Sequence, residues 1–92
     1  MSIPRIDGFL IDDENEDKFG RHGLSPRAIL QVLENEHVIV PNRKRRRARY
    51  LLIGRDNGGA CLAIPVEPTR EAGIWRPITA WRCKPAELAK LD

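Results

Sequence analysis

The stretch "RYLLIGRDNGGACLAIPV", residues 49–66, constrains the chain most, because two β-prone apolar runs flank a turn signal. Asn-Gly and Gly-Gly steps favour the tight connection between neighbouring antiparallel strands. The pattern predicts a strand over about residues 45–55, a turn at "RDNGG" and a second strand at "ACLAIPV". Two further runs join this hairpin: "HVIVPN" is β-branched and short, and "IWRPITAWR" alternates like a strand. Pro77 removes one ladder hydrogen bond from the latter and marks an edge or a bulge. Residues 6–12, "IDGFLID", read as a short edge strand.

Helix signals frame the strands. Asp12 or Asp13 can cap a helix over about residues 13–22, whose acidic first turn suits the positive end of a helix. Gly23 stops it, with Arg21 and His22 in the last turn. "LSPRAILQVLEN" opens a second helix with Ser25 as cap, Pro26 at the first helical position and Leu24 placed to pack on Ile29. Ala28, Ile29, Val32 and Leu33 make its apolar stripe. Pro85 and "AELAKL" give a short closing helix. The expected fold is α+β in one domain, residues 1–92: two N-terminal helices, an antiparallel meander of three to four strands, and a short C-terminal helix.

Charge is unevenly distributed. Residues 1–42 hold four Lys/Arg and eight Asp/Glu, net −4, whereas residues 43–92 hold twelve and five, net +7. A positive field of this kind attracts phosphates, which makes nucleic acid the leading partner class. In an extended strand, Arg45, Arg47 and Arg49 share a face with Leu51 and Ile53, and guanidinium forks on a rigid element can grip phosphates. The competing reading is an edge strand made positive to prevent edge pairing. On "IWRPITAWR" the same alternation puts Arg76 and Arg82 with Ile78 and Ala80, and Trp75 and Trp81 with Thr79. Tryptophans so placed either fill the core or stack on bases.

No segment approaches the roughly 20 apolar residues that span a bilayer, and no secretory signal opens the chain, so a cytoplasmic protein is expected. In a reducing compartment Cys61 and Cys83 would be unpaired packing residues. Two separated histidines and two separated cysteines lack metal-ligand spacing, so no metal or cofactor is expected.

Three stretches resemble the BrnT-type ribonuclease toxins of bacterial type II toxin-antitoxin pairs, which have a RelE-like fold. They are "FLIDDENEDKFGRHGLSPRAILQVLEN", "RRRARYLLIGRDNGG" and "WRPITAW". The family pattern falls on Asp12, Asn15, His22, Gly23, Arg49, Tyr50, Gly54, Arg76, Thr79 and Ala80. The chain departs from it at Ile11, where the family has tryptophan, and at Trp81, where an arginine often stands; Arg82 lies one place later. The tyrosine often found near the end is absent.

The resemblance implies metal-independent RNA cleavage that arrests growth, held in check by a cognate antitoxin that commonly also binds operator DNA. The 2′-hydroxyl of RNA is the nucleophile, so the protein must align it, move protons and stabilise charge on phosphorus. Arg49 and Arg76 are the expected phosphate clamp, with His22 or Lys18 transferring protons. Arg45, Arg47, Thr79, Trp81 and Arg82 are the expected RNA contacts. Histidine's ordinary pKa of about 6.5 suits this task, whereas a lysine would need strong depression. Two alternatives use the same basic face: a non-catalytic nucleic-acid-binding module and a protein-interaction domain that receives an acidic partner.

Overall fold

In a computed structural model, which describes residues 3–42 and 48–92, β1 (Gly8–Phe9) leads into α1 (Asp13–Arg21). Asp12 caps α1 as its sequence suggests: its Oδ1 accepts from the Asn15 backbone N–H at 2.8 Å, and Asn15 Oδ1 accepts from the Asp12 N–H at 2.9 Å. Two otherwise orphaned donors are satisfied reciprocally. After the helix, Gly23 takes φ 71°, a left-handed conformation that glycine adopts without a Cβ penalty. The chain then enters α2 (Pro26–Glu34), whose cap Ser25 accepts from Ala28 N–H at 3.2 Å.

β2 (His37–Pro41), β3 (Tyr50–Arg55) and β4 (Cys61–Pro68) form an antiparallel meander. The sequence then supplies β5 (Ile74–Pro77), β6 (Trp81–Arg82) and α3 (Pro85–Leu91). The sheet runs β1-β5-β4-β3-β2, with β6 also on β4. Two expectations change. Among the described residues the sheet has six strands, and it is mixed, because the two-residue β1 pairs parallel with β5. The third strand begins at Tyr50, and the expected positions 45 and 47 lie outside the described residues.

Side-chain alternation sorts the sheet into two layers. Leu52, Leu62, Ile64 and Val66 meet Phe19 of α1 and Ile29 and Val32 of α2 in the main core. Phe19 is fully buried, and such a side chain contributes about 2–3 kcal/mol of docking free energy. Gly54 lies on this layer beneath the α2–β2 connection. A Cβ there would come within 3.0 Å of Val32 Cγ1 and 2.9 Å of His37 Cβ, so the absence of a side chain permits the close approach. On the opposite layer, Ile53 and Ala63 are fully buried, and α3 packs over β2 and β3.

The expected single strand over "IWRPITAWR" is broken. β5 pairs Pro77 with Val66 and Arg76 with Glu67, whereas β6 pairs Trp81 with Ala63 and Arg82 with Leu62. Three residues, 78–80, therefore stand opposite two on β4, 64 and 65, which is a one-residue bulge. Ile78 N–H bonds Pro65 O at 2.9 Å within it. Pro77 lacks the N–H that would extend the ladder. The extra residue reverses the faces: Arg76 lies with Glu67, but Arg82 lies with Leu62, and Trp75 and Trp81 are on opposite layers. The expected grouping of Arg76 with Arg82, and of the two tryptophans, is thereby corrected.

Cys61 and Cys83 also correct an expectation: they are joined in a disulfide, with Cα atoms 5.3 Å apart. The bond ties the start of β4 to the residue after β6, close to the entry of α3. Replacing both cysteines by serine is expected to lower unfolding free energy by about 3 kcal/mol, the loop-closure value for a 22-residue separation. Urea denaturation of both forms under non-reducing conditions measures it; coincident curves would refute the expectation.

Candidate functional site

Arg76 leaves β5 on the same layer as Glu67 and reaches the beginning of α1. Its Nε donates to Asp12 Oδ2 at 2.7 Å and its Nη2 to Asp12 Oδ1 at 3.2 Å, a two-pronged guanidinium-carboxylate pair. Nη2 also lies 3.4 Å from Glu14 Oε1, and Nη1 lies 4.0 Å from Glu67 Oε2. The side chain is only 13% exposed. Hydrogen bonding from Arg76, followed by the Asn15 backbone N–H, holds the Asp12 carboxyl below its ordinary value of 3.8. The same bond to Asp12 raises the Arg76 guanidinium above its ordinary value. Three carboxylates thus surround the cation that was expected to grip phosphate.

Asn15 completes this junction from within. It is fully buried, and its Nδ2 donates to Leu10 O at 2.9 Å and to Pro77 O at 3.0 Å. One side chain therefore caps α1, holds the end of the β1 segment and satisfies a carbonyl where the bulge begins.

At the other end of α1 the charges are positive. Lys18, Arg21 and His22 line an open cleft of about 240 Å³ together with Ile78 and Thr79 from the bulge. Helical spacing puts Lys18 beside Arg21 and His22, one turn apart. Two carboxylates on the same helix partly offset the cations: Glu14 lies 3.7 Å from Lys18 and Asp17 lies 3.0 Å from Arg21. These are solvent-exposed pairs of small energetic worth, which an incoming anion can replace. Cations at a helix end also complement the helix dipole, the structural use they would have without a ligand. Chemically, the cleft offers an ammonium, a guanidinium and an imidazole around one wall of a threonine.

The expected site residues therefore divide. His22, Lys18 and Thr79 come together, and Arg21 joins them. Arg76 stands in the carboxylate junction, outside the cleft wall. Arg49 is exposed just before β3, its carbonyl accepting from Asn42 N–H at 3.0 Å. By strand alternation it lies on the layer of Leu51 and Ile53, away from α1 and α2. Trp81 donates its indole N–H to Glu87 at 3.0 Å and thereby fastens α3, while Arg82 is exposed on β6. Trp75 packs on the main core and meets Tyr50 edge-on, with ring centroids 5.6 Å apart. Arg45 and Arg47 lie outside the described residues. Sequence reading missed Arg21 as a cleft residue, although its spacing from Lys18 was a usable signal. Among the described residues no cluster of three or more His, Cys, Asp or Glu could hold a metal ion, and no helix is long and apolar enough to cross a membrane.

No known protein family matches the chain, and comparisons with curated proteins and with solved structures found no match.

Two outcomes test the junction. Asn15→Ala removes a cap and leaves Leu10 O and Pro77 O without their donor, so a loss of about 2–4 kcal/mol is expected on chemical denaturation. Acid tests Asp12: its folded-state pKa is depressed, so its contribution is present above the unfolded value of 3.8 and is lost as pH falls through the lower folded value. Asp12→Asn keeps an N-cap acceptor but removes the charge. Its melting temperature should therefore fall less between pH 5 and pH 3 (about these limits) than that of the wild type; parallel declines would sink the assignment.

Proposed function

We propose that the chain is a RelE-like endoribonuclease of the toxin class, acting on RNA in the cleft between the end of α1 and the bulge. The observation that carries this reading is the convergence of Lys18, Arg21 and His22 with Thr79, residues distant in sequence, in one open anion-compatible cleft. The α+β order of two helices, meander and closing helix supports it, as does the presence of the family-like positions His22 and Thr79 in that one cleft.

In this mechanism the scissile phosphate sits against Lys18 and Arg21, whose charges offset the negative charge that grows on phosphorus. His22 moves a proton between the 2′-hydroxyl and the leaving oxygen, and Thr79 orients the phosphate with its hydroxyl. Attack of the 2′-oxygen forms a cyclic phosphate and releases a 5′-hydroxyl, with no metal required. Arg76 acts at one remove, holding the start of α1 through Asp12. Arg49 and Arg82, on opposite layers of the sheet, add general attraction for RNA, and the cations of the cleft suit an acidic inhibitory partner of the antitoxin kind.

The test incubates a messenger RNA with wild type, His22→Ala and Arg21→Ala. Cleavage by wild type is expected to fall about 100-fold or more in His22→Ala, the usual weight of a general acid or base. Undiminished cleavage by both variants would remove the cleft from the mechanism. The exposure of His22 favours one other reading, in which the cleft holds RNA without cutting it. In that case all RNA remains intact and binding weakens steeply with added salt.

A further inference from the structure

Among the described residues β2 forms one edge of the sheet, pairing with β3 and with no other strand. Asn42 N–H bonds Arg49 O, and alternation from that pair assigns Val40 and Val38 to hydrogen bonds with β3. The N–H and C=O groups of Ile39 and His37 consequently point away from the sheet, as does the C=O of Pro41. Edges of this kind are normally blunted by lysines, inward charges, bulges or brevity. β1, two residues long and preceded by the charged Arg5 and Asp7, is blunted in that way. β2 is not: within its sequence HVIVP there is neither Lys, Arg, Asp nor Glu, and only Pro41 limits the edge, by one missing donor.

We propose that this edge pairs with β2 of a second copy of the chain, antiparallel and centred on Ile39. In this register Ile39 exchanges two hydrogen bonds with the partner's Ile39, and each His37 N–H donates to the partner's Pro41 carbonyl. The proline falls where only its acceptor is needed for that bond. Val38 lies beside the partner's Val40, so apolar side chains meet on the layer that α3 covers. Charge selects the same direction. Glu34 and Glu36 precede β2, and Arg49, whose carbonyl accepts from Asn42 N–H, stands beside its exit. Antiparallel pairing brings the acidic entrance of one strand toward the cationic exit of the other, whereas parallel pairing sets like charge beside like. The two sheets become one, with α1 and α2 of both copies on the same side. This inference is independent of the RNA reading.

Sedimentation equilibrium and amide hydrogen exchange, both from micromolar to millimolar chain, test it. The mass should rise from 10.5 kDa towards twice that value, and the Ile39 and His37 amides should slow in step. The Val38 and Val40 amides, already bonded to β3, should change little. Ile39→Pro removes an outward N–H without taking a β3 bond, and it should abolish the dimer; if that variant does not fold, the wild-type amides decide the question. A mass of 10.5 kDa at every concentration overturns the proposal. So does a dimer whose Ile39 and His37 amides exchange as in the monomer, a dimer retained by folded Ile39→Pro, or protection of these amides only by an added acidic peptide.

Discussion

The buried Asn15 amide is the contact on which the rest of the architecture depends. An Asn side chain enclosed in protein must satisfy both its carbonyl and its amide hydrogens, since an unmet polar group there costs on the order of 1–3 kcal/mol. Asn15 does so with Asp12 N–H, Leu10 O and Pro77 O, three points on segments that would otherwise be free to slide. The Asp12–Arg76 pair reinforces this junction from the more exposed side. With α1 fixed at its first turn, Phe19 is delivered into the core and His22 to the edge of the bulge. The electrostatic and packing roles of α1 are thus consequences of one hydrogen-bonded side chain.

Local signals were legible in the sequence and long-range ones were not. Asp12, Ser25, Pro26 and Gly23 act within a turn of their own positions, so the first two helices could be placed nearly to the residue. The turn at "RDNGG" was equally plain. Strand alternation over residues 74–82 failed because a bulge is decided by the partner strand: β4 offers two residues where the facing segment has three. Pro77 hinted at the interruption without saying on which side of it the pairing resumes. The parallel pairing of β1 with β5 was hidden for a similar reason, since a two-residue strand leaves no periodicity to read.

The cleft was partly visible. Lys18 and His22 could be paired by helical spacing, but Thr79 comes from the segment between β5 and β6, and only the fold brings it to them. Arg76 shows the opposite case. Its sequence context suggested a cation offered to a phosphate, whereas Asp12, 64 positions away, engages its guanidinium. Composition reports how many charges a chain carries; only the fold says which of them neutralise one another.

The bulge and the disulfide, described separately, are one device. If the β5 register continued unbroken, Cys83 would stand opposite Ala60, and its sulfur would leave the strand on the face away from Cys61. The single additional residue among positions 78–80 changes the count, so that Cys83 falls opposite Cys61 and its N–H meets Cys61 O at 2.9 Å. Oxidation of the pair therefore records the strand register in covalent form: a chain that mispaired β6 by one residue would keep two thiols, and only the bulged arrangement can close the ring.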